Sequence, residues 1–339
     1  MKSNKMKAAV YTNYGSPDVL QLRDMKTPAP NDNELLIRVF ATTVNRTDCA
    51  MLRAKPFIMR FFTGLLKPKS PILGTDFAGQ VEGVGKNITS FKVGDKVFGF
   101  DDQGLESHAQ YMTISKEKAI AVMPQNISYE QAAASTEGVH YAYNFINKVT
   151  IKRGQNILVN GATGAIGSAL IQLLKNLDLN VTAVANTENI ELVKSMGVEK
   201  VIDYTQRDFT KDDTKFDFIF DAVGKSSFIK CKPLLVPGGI YISSELGWMA
   251  QNIFLAIITP IITKIFRQKG GRKVIIPIPS DCRRTVLYIK KLCEEGKFKA
   301  VIDRDYPLEK IAEAFRYVET GQKTGNVIVT MENNNTFEN

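Results

Sequence analysis

The run Ile157-Leu-Val-Asn-Gly-Ala-Thr-Gly-Ala-Ile-Gly167 constrains the fold of this chain more than any other stretch. Asn156–Val159 reads as a buried strand and Ile166–Leu177 as a helix, with glycines at 161, 164 and 167 around the junction. Glycine lets the backbone turn tightly and approach a ligand, and Gly167 lets the helix lie against the strand. A helix that begins at such a loop offers unpaired N–H groups and the positive end of its dipole, which suits a pyrophosphate. A second strand at Asn180–Ala185 completes the unit that distinguishes a dinucleotide site from an ordinary tight turn.

Around this unit the chain alternates regularly. Glu188–Met196 reads as a helix ended by Gly197, and Val201–Tyr204, Phe216–Asp221, Gly239–Ser243 and Lys273–Ile276 read as strands. Strands alternating with helices predict an α/β fold with a doubly wound parallel sheet. The chain before it differs. Met6–Tyr11, Leu35–Thr43, Phe77–Val84, Lys96–Phe98 and Gln110–Ile114 are short apolar or alternating runs broken by turn residues, which predicts a small β sandwich or barrel. Tyr129–Asn147 is predicted as one helix capped by Ser128. The end of the chain reads as helices at Asp281–Glu295 and Leu308–Thr320 and a strand at Asn326–Thr330. The expected boundaries are 1–125 for the β-rich domain, completed by 278–339, and 126–277 for the nucleotide domain.

Composition removes several alternatives. The 339 residues include 44% apolar and 23% charged, an ordinary globular mixture. The net charge of +9 is spread over scattered lysines without a recognition module, so no nucleic acid partner is expected. Cys49, Cys231, Cys282 and Cys293 form no CxxC pair, and no signal peptide is evident, so free thiols in a cytoplasmic setting are expected. Leu246–Phe266 has the length of a membrane span, but Gln251, Asn252, Pro260 and Lys264 interrupt it. It reads instead as a core helix, a pocket wall or a subunit interface, and no membrane partner is expected. With only His108 and His140 and no clustered cysteines, zinc sites are poorly supplied, and neither a GxSxG elbow nor an HExxH motif is present.

Several motifs together resemble the medium-chain dehydrogenase/reductase superfamily, in its zinc-free quinone oxidoreductase branch. They are Ala41-Thr-Thr-Val-Asn-Arg-Thr-Asp48, Leu73-Gly-Thr-Asp-Phe-Ala-Gly79, Val93-Gly-Asp-Lys-Val-Phe-Gly99, Asn160–Gly167, Val201-Ile-Asp-Tyr204, Asp221-Ala-Val-Gly224 and Pro237-Gly-Gly239. The resemblance runs from Met6 to Val329 and implies a GroES-like catalytic domain with a Rossmann nucleotide-binding domain. Zinc ligands of metal-dependent relatives fall at Asn45, Thr75 and Thr136, none of them Cys or His. The resemblance implies catalytic roles for Asn45, whose amide would bond a substrate carbonyl, and for Asp48, which would orient the loop. It assigns to the cofactor Thr136, Gly161, Thr163, Gly164, Ala165, Ile166, Gly167, Asn186, Thr187, Tyr204, Val223, Gly224 and Asn326.

The expected chemistry is hydride transfer from NAD(P)H, without zinc, to a quinone or an α,β-unsaturated carbonyl. No carboxylate stands at the end of Asn180–Ala185; Asn186 and Thr187 precede Glu188, so NADP(H) is preferred and NAD(H) remains possible. Tyr204 is placed toward the adenosine end. The final proton would come from water, a ribose hydroxyl or His140, with Tyr141 and Tyr143 nearby in sequence. Met51–Leu66 and Leu246–Phe266 are apolar and suit either a pocket for a hydrophobic small-molecule substrate or the interface of a homodimer. The rival readings are an NAD(P)-dependent alcohol or aldehyde oxidoreductase and a nucleotide-sensing or RNA-binding protein with little catalysis.

Overall fold

The computed structural model describes residues 5–175, 177–244, 251–265, 270–278 and 281–331. The chain begins with β1 (Lys5–Val10), β2 (Gln21–Lys26), β3 (Glu34–Val44), α1 (Arg46–Arg53), α2 (Met59–Thr63), β4 (Asp76–Val84), β5 (Lys96–Phe100), β6 (Tyr111–Ser115), β7 (Ile120–Val122) and α3 (Tyr129–Ala134). Next come α4 (Glu137–Asn147), β8 (Asn156–Asn160), α5 (Ala165–Lys175), β9 (Asn180–Ala185), α6 (Ile190–Ser195), β10 (Lys200–Asp203), β11 (Phe216–Asp221), α7 (Phe228–Cys231), β12 (Leu235–Ser243), α8 (Gln251–Ile265) and β13 (Lys273–Ile275). The chain closes with α9 (Cys282–Glu294), β14 (Ile302–Pro307), α10 (Ile311–Glu319) and β15 (Asn326–Thr330). These elements form two compact units, Met1–Glu137 with Asp281–Asn339, and Gly138–Ser280.

In the first unit, β3 organises a mixed sheet of order β14-β15-β3-β4-β5-β7, with β6 also paired to β3. Its leading half, Glu34–Arg38, pairs with β6, and its trailing half, Ala41–Val44, pairs with β15. Leu35, Ile37 and Val39 alternate inward onto Phe77, Val97 and Phe315, while from Ala41 to Val44 every residue is buried. The strand end therefore leaves the sheet covered on both faces.

The second unit is a wholly parallel sheet of order β10-β9-β8-β11-β12-β13. Helices α5 and α6 connect β8 to β9 and β9 to β10, after which the chain returns to pair β11 with β8. The order reverses between β8 and β11, and open α/β sheets bind ligands outside the strand ends at such a reversal. Asn160 and Asp221, register partners, end the two strands there.

Some local expectations change. The single helix Tyr129–Asn147 is two, α3 and α4, because the Ser135 and Thr136 hydroxyls bond back to Gln131 O and Ala133 O and close the first. Helix α3 packs on the sheet of the first unit, with Tyr129 stacked on Phe40 at 4.6 Å. Glu188–Met196 begins as a 3-10 turn, Thr187–Asn189, before α6. Strands β2, β7 and β14 and helix α1 were not anticipated. Of Leu246–Phe266, residues 246–250 and 266 lie outside the described residues; α8 packs Leu255 and Ala256 on the core of the second unit and exposes Phe254 and Ile257. Among the described residues no helix is long and apolar enough to cross a membrane.

Phe315 of α10 lies fully buried against the β3 sheet, its ring edge-on to His108 at 5.7 Å. Phe315→Ala is expected to cost about 3–5 kcal/mol through lost burial and a cavity, read as a lower denaturation midpoint with an unchanged slope.

Candidate active site

The glycine loop turns tightly between β8 and α5. Gly161 follows β8 with φ of +81°, and a Cβ there would meet Val223 at 2.7 Å. A Cβ on Gly167 would strike Gly161 O at 2.0 Å, so α5 can close on the loop only at a glycine. A Cβ on Gly164 would meet only Gly161 O, at 3.7 Å, so this residue lies toward open space. The first turn of α5, at Ala165, Ile166 and Gly167, carries N–H groups that a helix cannot pair internally.

The other side of the loop is held by Asp221. Its Oδ1 accepts Asn160 Nδ2 at 2.9 Å and the N–H groups of Val223 and Gly224 at 3.3 and 3.0 Å. Its Oδ2 accepts the Tyr241 hydroxyl at 2.6 Å, and burial with the neighbouring carboxylate pushes that phenol up. Asp221 thus fixes Val223 and Gly224 against Gly161. At the ends of β9 and β10, the Thr187 hydroxyl donates to Asp203 at 2.6 Å and meets Thr205 at 2.9 Å. Hydrogen bonds from Thr187 and Thr205 hold the Asp203 carboxyl below its ordinary range. Asn186 is half-buried, and Thr187, Glu188 and Tyr204 are exposed.

The first unit carries a buried polar cluster at the end of β3. Asn45 is the N-cap of α1: its Oδ1 accepts Asp48 N–H at 2.9 Å, and Asp48 Oδ2 accepts Asn45 N–H at 3.1 Å. Asn45 Nδ2 donates to Thr75 Oγ1 at 2.7 Å. Asp76 accepts the Thr43 N–H at 2.8 Å and the Thr43 hydroxyl at 2.6 Å. His108 donates from Nε2 to Thr43 O at 2.9 Å and stands 3.9 Å from Asp48. Thr47, half-buried, donates to Glu137 Oε1 at 2.8 Å.

Desolvation dominates this cluster. It raises Asp48 well above the usual carboxylate range, with Asp76 adding repulsion. It pushes Asp76 up to about 6 and Glu137 up to about 7, against the Thr43 and Thr47 hydrogen bonds respectively. It lowers His108 to about 4, so the ring is neutral, with its proton on Nε2 toward Thr43 O.

The expected site residues thus separate. Gly161–Gly167 with Thr163, Ala165 and Ile166, together with Val223 and Gly224, converge at the reversal between β8 and β11. Asn186, Thr187 and Tyr204 stand at the ends of β9 and β10. Thr136 and Asn326 belong to the first unit, where the Thr136 hydroxyl closes α3 and Asn326 Nδ2 donates to Val301 O at 3.0 Å. Asn45 and Asp48 are brought together, as a helix cap rather than as groups open to a reactant, since both are buried and bonded to each other. Thr47 and Glu137 were missed, because their separation in sequence hides the contact. His140 is buried in the second unit, its ring edge-on to Tyr141 at 5.7 Å.

The positions where the resemblance places zinc ligands, Asn45, Thr75 and Thr136, hold an amide and two hydroxyls. Asn45 and Thr75 are bonded to each other, and Thr136 to Ala133 O. Zinc is held by thiolate, imidazole or carboxylate, so this donor set does not fit it.

Residues 31–138 match the family model of the alcohol dehydrogenase GroES-like domain, and residues 196–329 that of zinc-binding dehydrogenases. The 2-methylene-furan-3-one reductase of Solanum lycopersicum is 31% identical, over 96% of this chain and 79% of that protein. The chloroplastic NADPH-dependent alkenal/one oxidoreductase of Arabidopsis thaliana is also 31% identical, with the same coverage. The solved quinone oxidoreductase of Coxiella burnetii superposes with a TM-score of 0.81 at 27% identity, covering 97% of this chain and 100% of that one.

Gly161→Ala is expected to weaken dinucleotide binding at least tenfold, measured by titration calorimetry. The side chain must displace Val223 at 2.7 Å, and the left-handed backbone costs a non-glycine residue about 1–2 kcal/mol.

Proposed function

This chain belongs to the medium-chain dehydrogenase/reductase superfamily, in its quinone oxidoreductase-like branch, and on that footing we propose that it reduces quinones or α,β-unsaturated carbonyls by zinc-independent hydride transfer. It is an NAD(P)H-dependent oxidoreductase. The observation that carries the choice of acceptor is the amide–hydroxyl pair, Asn45 with Thr75, at positions where metal-dependent relatives polarise a carbonyl. Conjugated acceptors spread the incoming charge and need less electrophilic help than a simple ketone. Two relatives carry names for reduction of such acceptors, a 2-methylene-furan-3-one and alkenals or alkenones.

When bound, the nicotinamide supplies the hydride. The chain's own part begins with binding. The first turn of α5 and the Gly161–Gly164 backbone receive the pyrophosphate, and Asp221 keeps Val223 and Gly224 in place beside them. Asn45 and Asp48 act as positioning residues: the cap they form fixes the start of α1 and so the place of Thr47. The Thr47 hydroxyl turns from Glu137, 2.8 Å away, to deliver its proton to the reduced acceptor, and the protonated Glu137 carboxyl, its pKa pushed up to about 7 by burial, then donates its own proton to the Thr47 oxygen. NADPH is the preferred donor in this reading. The end of β9 offers Asn186 to a ribose phosphate, and the Asp203 carboxylate is already occupied by the Thr187 and Thr205 hydroxyls. A homodimer in a cytoplasmic setting completes the proposal.

NADPH oxidation measured against quinones, enones and saturated ketones is expected to show turnover with conjugated acceptors only. Turnover confined to saturated carbonyls would overturn the reading. Glu137 must hold its proton to serve as the acid, so kcat for an enone is expected to fall as pH rises through about 7. Glu137→Gln is expected to lose that dependence along with at least tenfold in kcat; an unchanged pH profile would remove Glu137 from the reaction. In thermal-shift measurements at equal concentration, NADPH is expected to raise Tm more than NADH, and equal shifts would refute the cofactor preference.

A further inference from the structure

The segment between α1 and β4 combines two properties that soluble surfaces rarely place together. Between Asp48 and Asp76 the sequence carries Arg53, Lys55, Arg60, Lys67 and Lys69 and no carboxylate. In the same stretch Phe57, Ile58, Phe61, Phe62, Leu65 and Leu66 all face solvent, Phe62 at 71% and Leu66 at 83% exposure. Single exposed apolar side chains need no explanation, whereas a contiguous group of large ones marks a docking surface.

The group is presented by a built support. Tyr14 reaches over from the first segment, its hydroxyl donating to Gly64 O at 2.7 Å and meeting Thr63 Oγ1 at 2.9 Å. The Arg60 guanidinium lies over the Tyr14 ring at 5.0 Å, and Met59 packs on the core. Gly64 adopts φ of +125°, and a Cβ there would meet Lys67 O at 2.1 Å, so the turn between the two apolar pairs requires glycine. The inward side of the loop is thus satisfied, and its phenylalanines and leucines are left outside. Lys55, Lys67 and Lys69 are exposed around them.

We propose that this segment docks the protein on an anionic lipid surface. Large apolar side chains enter the boundary between headgroups and acyl chains, and lysines beside them reach the headgroup phosphates. A second copy of the chain is the less fitting occupant. A two-fold interface sets a patch against itself, and here that would turn the lysines of one copy toward those of the other with no carboxylate in the segment to compensate. The proposal departs from the sequence expectation of no membrane partner; it concerns lying on a bilayer rather than crossing it. It is independent of the acceptor that the enzyme reduces.

The test is flotation of the full chain with vesicles of phosphatidylcholine alone and with vesicles also containing phosphatidylglycerol. Each of the three lysines near an anionic surface contributes about a fivefold gain, so partitioning is expected to rise about a hundredfold on the anionic vesicles and to collapse in molar salt. Two triple variants separate the contributions. Lys55→Gln/Lys67→Gln/Lys69→Gln is expected to abolish the preference for anionic vesicles. Phe61→Ser/Phe62→Ser/Leu66→Ser is expected to lower partitioning at least tenfold on both. Thermal melts report whether each variant is folded, and the lysine variant alone decides the matter if the other does not fold. Equal partitioning to both vesicles, no partitioning, or a concentration-dependent dimer in sedimentation velocity that Phe62→Ser abolishes would each overturn the proposal.

Discussion

The pairing of Val44 with Val327 fixes where β3 ends, and the polar cluster of the first unit depends on that point. Held by β15, the strand delivers Asn45 in extended conformation directly into the cap of α1. The same few residues gather segments distant in sequence. Asp76 takes the Thr43 N–H and hydroxyl, His108 bonds Thr43 O, and Thr75 receives the Asn45 amide. A strand supplied by the last part of the chain is therefore a condition for a site composed mostly of residues from the first part.

Such a cluster is costly to bury, and the protein meets the cost by protonation and hydrogen bonding rather than by ion pairing alone. Asp48, Asp76 and Glu137 are all raised by desolvation, and His108 is kept neutral. For Asp76 and Glu137 the folded state keeps protons that the unfolded chain has released. These groups therefore favour folding most at low pH, and their contribution declines as pH rises to about 6 and 7. His108 acts in the opposite sense between about 4 and its ordinary value. Under the proposed reaction the proton that Glu137 holds up to about pH 7 is a by-product of this burial, and the half-buried Thr47 would make it reachable.

The nucleotide unit was readable because its signals are local. Strand periodicity, glycine spacing and the helix after them lie within one short stretch, and the parallel pairing of the sheet follows from strand–helix alternation. The first unit was less legible. The strands β2 and β14 are largely exposed or polar along their length, and β7 is too short to show a period. Helix α1 had a usable sign, since Asn45 and Asp48 stand at the spacing of a capping box. That spacing was read as chemistry because the same residues lie in the family's active-site stretch. Thr47 with Glu137 left no local trace, as their contact exists only once α1 and the start of α4 are in place.

Under the proposed zinc-independent reaction, the bonding of Asn45 to Thr75 has a further consequence for selectivity. A zinc ion stabilises any alkoxide that forms beside it and so serves simple carbonyls as well as conjugated ones. Asn45 and Thr75 are neutral, buried and bonded to each other, so they offer no comparable stabilisation of a localised negative charge. Under the proposed reaction the burden passes to the acceptor, whose conjugation must carry the charge until a proton arrives from Thr47 and Glu137. Reactivity would then follow the electron affinity of the acceptor more closely than its shape. That is the behaviour expected of an enzyme acting on a chemical class rather than on one molecule.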